Sequence, residues 1–124
     1  MMTGNEKGNC GENIAAAYLV KNGYSVTEHN YHSRYGEIDI IAEKGDYIIF
    51  AEVKLRKKNS RVNGFESVSL SKQKKIIETS VIYLQENPTS LQPRYDVVSI
   101  TDFGDGTYRT EHIENAFDTQ NLFY

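Results

Sequence analysis

Asp39, Glu52 and Lys54 are the residues whose types and spacing suit chemistry on a phosphodiester. Asp39 lies in the run Gly36-Glu37-Ile38-Asp39-Ile40-Ile41, and Glu52-Val53-Lys54 closes the apolar run Tyr47-Ile48-Ile49-Phe50-Ala51. Successive side chains of a strand point to opposite faces, so Glu52 and Lys54 share a face about 7 Å apart, presenting a carboxylate beside an ammonium. A polar turn at Lys44-Gly45-Asp46 separates the two runs. If they form a hairpin, Asp39 comes beside Glu52, and two hard oxygen ligands suited to Mg²⁺ stand next to a cation. Asp39 is hard to explain otherwise, because an acid among Ile38, Ile40 and Ile41 needs a partner or a ligand when buried. Glu52 has a plainer reading as a strand-end acid paired with Lys54 or Arg56, worth at most about 1 kcal/mol. Glu37 is a candidate to cap a turn or approach the same site.

The elements that must position these residues follow an α-β-β-β-α-β-β order. A helix is expected from about Gly8 to Asn22, with Ile14, Ala15, Ala17, Tyr18 and Leu19 on one side and Asn22-Gly23 as its stop. Strands follow at about Tyr24–Tyr31, Tyr35–Ala42 and Tyr47–Lys54. After a polar connection from Lys57 to Val68, a second helix starts with Ser69 or Ser71 as N-cap and ends at Asn87-Pro88. Two more strands, Arg94–Ile100 and Tyr108–Ile113, flank a turn rich in Asp and Gly at 102–106. This order predicts an α/β fold with a mixed central sheet flanked by helices. The 124 residues suit a single domain, with 1–7 and 118–124 as tails.

Charge is distributed unevenly. The net charge is −3, yet Lys54, Arg56, Lys57, Lys58, Arg61, Lys72, Lys74 and Lys75, opposed only by Glu66, give residues 54–75 a net +7 and leave −10 for the rest. Such a segment attracts phosphates over about 10 Å at moderate salt, and it begins at the lysine of the candidate site. A solvated charged loop is the plainer reading. Lys72, Lys74 and Lys75 also occupy the first turn of the second helix, where the dipole disfavours cations and a bound anion would offset the cost. In the first helix Glu12 lies nearly above Leu19 and borders the buried side. An acid in a first turn is favoured by the dipole, and this helix-end role stands level with a metal-site role.

Other features exclude function classes. No apolar stretch approaches the ~20 residues of a membrane span. The N-terminus lacks a hydrophobic signal stretch, so a cytoplasmic location is expected. Cys10 is a lone cysteine and reads as a packing residue, while His29, His32 and His112 are too scattered for a zinc set and suit surface or hydrogen-bonded roles. Arg94 and Asp96, two apart on a strand, read as a structural pair. The apolar Asn121-Leu122-Phe123-Tyr124 leaves core docking and a dimer contact both open.

Gly11-Glu12, Ala15-Ala16, Tyr18-Leu19, Gly23-Tyr24, Asn30-Tyr31, Gly36-Glu37-Ile38-Asp39, Phe50 to Arg56, Lys72, Arg94 to Val98 and Asn115-Ala116-Phe117 together resemble the YraN-like family over nearly the whole chain. Ala51 stands where a bulkier apolar residue is usual, and Tyr95 where Phe is. That family is grouped with the PD-(D/E)xK, or restriction-endonuclease-like, nucleases and is similar to archaeal Holliday-junction resolvases. The resemblance implies a restriction-endonuclease-like fold and nuclease positions at Glu12, Asp39, Glu52 and Lys54. It also implies Mg²⁺ or Mn²⁺ held by Asp39 and Glu52 with the Val53 carbonyl and Glu12, DNA as substrate, and a homodimer. Arg56, Lys57, Lys58, Arg61, Lys72, Lys74 and Lys75 are then the expected nucleic-acid contacts. A non-catalytic nucleic-acid-binding module with the same fold is the alternative.

Overall fold

A computed structural model describes residues 4–58 and 68–119, with side chains from residue 10 onward. Helix α1 (Gly4–Lys21) is followed by strands β1 (Ser25–Ser33), β2 (Gly36–Lys44) and β3 (Tyr47–Lys57). Helix α2 (Leu70–Glu86) then leads to β4 (Gln92–Asp102) and β5 (Tyr108–Phe117). The order of elements is the one predicted, and most bounds move by one to four residues. Helix α1 begins earlier than expected because apolar periodicity marks only the turns that pack on the sheet.

The five strands form one sheet in the order β1-β2-β3-β4-β5. Among the described residues only β3 and β4 pair in parallel; the other neighbours are antiparallel. Antiparallel neighbours can be joined by a tight turn, as at Gly45, whose φ of 58° suits glycine. A parallel pair needs a crossover, and α2 supplies it between β3 and β4.

The sheet is covered on both faces. Ala15 and Leu19 of α1 pack with Ile40, Ile49, Ala51 and Val98, while Ile76, Ile77 and Tyr83 of α2 pack with Ile48, Phe50 and Val97. Central strand β3 therefore reads as a continuous apolar run rather than an alternation. Phe50 is fully buried between Tyr83 and Tyr95, with ring centroids 6.0 and 5.7 Å away; burying such a ring stabilises by about 1.5–3 kcal/mol. Ala17, expected on the apolar side of α1, is exposed, since the helix turns Ala15 and Leu19, four apart, onto the sheet and Ala17 to the opposite side.

Of the two serines offered as the N-cap of α2, Ser69 is the one used, and its side chain accepts from the Lys72 N–H at 3.2 Å. Ser71 is inside the helix. Among the described residues no helix is long and apolar enough to cross a membrane.

Candidate active site at the β2–β3 fork

The β2–β3 ladder runs from Lys44↔Tyr47 to Ile40↔Ala51 and stops there. In that register the next opposed residues are Asp39 and Glu52, so the two acids stand where the strands part. Strand β2 is also distorted at this point. Ile38 and Ile41 both face α2 while Ile40 faces α1, so the two-residue alternation breaks at Asp39. On the neighbouring strand Asn30, flanked by the pairs His29↔Ile40 and Tyr31↔Ile38, has a φ of 50°. A left-handed residue inside a strand costs energy and marks a place where the chain is held by its surroundings.

Asp39 is half-buried, and its Oδ2 accepts the Val53 N–H at 2.8 Å. Burial, then the negative charge of Glu52, push its pKa up to about 7; the Val53 N–H opposes the shift, Glu12 adds to it and Lys72 opposes it. Asp39 thus feels the charges of both other acids singled out in the sequence. Glu12, half-buried on α1, is held by the Asn30 Nδ2, which donates to its Oε2 at 2.7 Å. Asn30 was not among the predicted site residues, although an asparagine tolerating positive φ was its available signal.

Glu52 is only 6% exposed and follows Phe50 onto the α2 face. Its cation is Lys72, with Nζ 2.8 Å from Oε1, and not Lys54 or Arg56. The Lys72 proton is held by the bond to Glu52, against the loss of water, and further by the charges of Glu52, Asp39 and Glu37. Lys54 is half-buried and makes no ion pair with another described residue. Glu37 approaches His32 Nδ1 at 3.4 Å, with both side chains exposed, and its charge is also felt by Lys72 of the site.

The lysines at the α2 N-terminus, expected to face an anion, are partly neutralised within the chain. Lys72 meets Glu52, and Lys74 lies 4.0 Å from Glu78 one turn on. Lys75 lines a cavity of about 360 Å³ with Gly36, Glu37, Ser69, Ser71 and Lys72. Lys57 and Lys58 lie farther off beside Asp102 and Phe103, the Lys58 ammonium 5.6 Å from the Phe103 ring centroid. Along β3 that is roughly 20 Å from Glu52. Arg56 is half-buried between these groups. Arg61 lies outside the described residues, as do 1–3 and 120–124 of the expected tails.

Arg94 and Asp96 form the expected structural pair, and the structure adds His112 to it. The Asp96 carboxylate, fully buried, accepts from Arg94 Nε at 2.9 Å and Nη2 at 2.8 Å, from the Asn115 N–H at 3.0 Å, and meets His112 Nε2 at 2.7 Å. Burial would raise its pKa, but the His112 bond, the Arg94 pair and the Asn115 N–H together hold it below the ordinary carboxylate value.

Residues 11–100 match the family model described as "Uncharacterised protein family UPF0102". This chain belongs to that family. It is 41% identical over 113 residues to the "UPF0102 protein" of Syntrophomonas wolfei, covering 90% of this chain and 97% of the relative. The "UPF0102 protein CD630_12710" of Clostridioides difficile is 42% identical over 117 residues, 94% of this chain and all of the relative. The "UPF0102 protein" of Syntrophus aciditrophicus is 43% identical over 112 residues, 90% and 87% of the two chains. The family-level resemblance read from the sequence therefore holds, and the matched span contains Glu12, Asp39, Glu52, Lys54 and Lys72.

Among the described residues no three His, Cys, Asp or Glu side chains stand close enough together to hold a metal ion between them. The donors at the fork are the Asp39 and Glu52 carboxylates. That set fits Mg²⁺, which keeps several waters and is commonly bound through one or two protein carboxylates.

Proposed function

We propose that this UPF0102 chain is a metal-dependent endonuclease of the PD-(D/E)xK, restriction-endonuclease-like kind, acting on DNA, including branched or single-stranded forms. The observation that carries the reading is the fork itself, where the β2–β3 ladder ends at Ile40↔Ala51, just before Asp39 and Glu52, and Asp39 is fixed by the Val53 N–H. A residue of an extended strand aims its N–H and C=O toward the same edge, so the Val53 carbonyl also faces the Asp39 side. Asp39, Glu52 and that carbonyl are the residues that would hold Mg²⁺ or Mn²⁺, with Glu12 behind Asp39. The ion would neutralise charge on the phosphate oxygens and lower the pKa of a bound water.

The chain's own residues do the rest. Asp39 gives up its proton as it takes the ligand role, because a carboxyl must be ionised to bind a cation. Lys54, one residue beyond Val53 and without an ion pair among the described residues, orients the attacking water or contacts the scissile phosphate. Lys75 lies one turn after Lys72 on the same side of α2, where a nucleic-acid backbone would pass, and Lys74 lies at the same helix end on the opposite side. The chain acts as one nuclease unit, able to pair as a homodimer.

One observation favours the non-catalytic alternative: Glu52 already has a cation, Lys72. Incubation with junction, flap, duplex and single-stranded DNA plus Mg²⁺ or Mn²⁺ decides between them. Wild-type cleavage is expected, and Asp39→Ala, Glu52→Ala and Lys54→Ala should each lower it by at least about 100-fold, the scale of losing a preorganised electrostatic group. Cleavage that survives the Asp39 and Glu52 substitutions refutes the site. DNA retention without metal-dependent cleavage supports the binding module.

A further inference from the structure

We propose that Lys72 is a built-in counter-ion of the acid site, which neutralises Glu52 while no divalent cation is present and passes to a substrate phosphate when one takes Glu52. The inference rests on the metal-site reading above and adds to it an exchange of partners by one lysine.

Three observations lead to it. Lys72 Nζ lies 2.8 Å from Glu52 Oε1, and the Glu52 side chain is only 8% exposed while that of Lys72 is 51% exposed. One partner is fixed in the sheet and the other is half in water, so the pair can open only by movement of the lysine. Second, a divalent ion on Glu52 would put two positive groups against one carboxylate, and like charges at such distances repel strongly when partly shielded from water. That repulsion favours departure of the ammonium. Third, Lys72 borders the cavity of about 360 Å³ that also holds Lys75, Ser69 and Ser71. That cavity gives the displaced ammonium a place beside Lys75, where the Glu37 carboxylate offsets one of the two charges and a phosphate would offset the other. Metal binding and phosphate binding are thereby coupled through one side chain, each favouring the other.

A purely structural ion pair predicts something different. Removing its lysine would destabilise the fold or leave metal binding unchanged. A competing counter-ion predicts tighter metal binding on its removal.

The test uses the full chain with Lys72→Ala and Lys72→Met, the second keeping most of the aliphatic stem, and with Lys72→Arg as the conservative control. Mg²⁺ binding without nucleic acid is measured by calorimetry. Lys72→Ala and Lys72→Met should bind Mg²⁺ about three- to tenfold more tightly than wild type, the scale of losing a partly exposed ion pair; Lys72→Arg should stay near wild type. Binding of a short fluorescent single strand is then measured against KCl concentration, with and without Ca²⁺. With Ca²⁺, Lys72→Met should lower the slope of log affinity against log salt by about 0.7, one phosphate contact on a single strand. Without a divalent cation the slope should not change, because Lys72 is then engaged by Glu52.

Wild type that binds Mg²⁺ together with a Lys72→Met variant that binds it no more tightly overturns the counter-ion role and leaves the metal site standing. Wild type that binds no divalent cation at all overturns the metal-site reading and this inference with it. An equal slope change with and without Ca²⁺ makes Lys72 a permanent phosphate contact and also overturns the exchange.

Discussion

At Asp39, burial and the charges of Glu52 and Glu12 act in one direction, and the pKa of about 7 follows. The consequence for stability has a definite sign. An acid whose folded pKa lies above its unfolded value of 3.8 binds a proton more readily when folded. Its contribution is full below about pH 4 and is lost as the pH rises through about 7. The metal-free protein should therefore melt at lower temperature at pH 8 than at pH 5.5. Asp39→Asn, which keeps an oxygen for the Val53 N–H, should flatten that dependence and stabilise the protein at pH 8 by on the order of 2–4 kcal/mol. Millimolar Mg²⁺ should raise the wild-type melting temperature more at pH 8 than at pH 5.5, because a protonated carboxyl does not ligate. Calorimetric melts at the two pH values, with and without Mg²⁺, check all three. A wild-type melt insensitive to pH over this range would sink the assignment of Asp39 as the strained acid.

On the scale of elements, two polar devices hold the framework that aims the site. One is Asn30, whose left-handed backbone lets β1 hold the Glu12 carboxylate of α1 beside the distorted stretch of β2. The other lies on the far strands, where Asp96 of β4 gathers Arg94, His112 and the Asn115 N–H of β5, and Arg94 Nη2 reaches Tyr24 Oη at 2.6 Å. His112 also stands edge-on to Tyr18 and Tyr24, with centroids 5.8 Å away in each case. This network ties β4, β5, the end of α1 and the start of β1 together. Removing one partner strands the others, so Asp96→Ala should cost about 3–5 kcal/mol of unfolding free energy in urea. The contribution of Asp96 is present above the ordinary carboxylate pKa and falls away as the pH drops below about 4, opposite in sense to Asp39. Asp96→Ala within 1 kcal/mol of wild type would mean that the network is not stabilising.

Considered as a whole molecule, the chain combines a net charge of −3 with basic groups at two places on the β3–α2 side. Lys72 and Lys75 adjoin the acids, and Lys57 and Lys58 lie roughly 20 Å along the strand. A nucleic acid crossing the proposed site and reaching both groups must span several nucleotides. Lys57→Ala with Lys58→Ala should weaken duplex binding and lower its salt slope by about 1.8, two phosphate contacts at 0.9 each. Anisotropy titrations over a range of KCl concentrations measure this. A salt slope unchanged by the double substitution would confine the nucleic acid to the α2 end.

The order of elements, the Ser69 cap, the Arg94–Asp96 pair and the opposition of Asp39 to Glu52 were legible in the sequence. Each depends on residues near in the chain or on a hairpin with a short turn, where periodicity and turn chemistry fix the register. Family membership was legible too, since motifs spread over the chain carry it. Tertiary structure alone decided which cation meets Glu52, because Lys72 arrives from a helix twenty residues on and local spacing favours the nearer Lys54. It alone placed His112 on Asp96 and Asn30 on Glu12, and it decided that Asp39 is the clustered acid whose pKa is raised. Burial and the fields of distant charges depend on how the layers pack, and no short stretch of sequence contains that information.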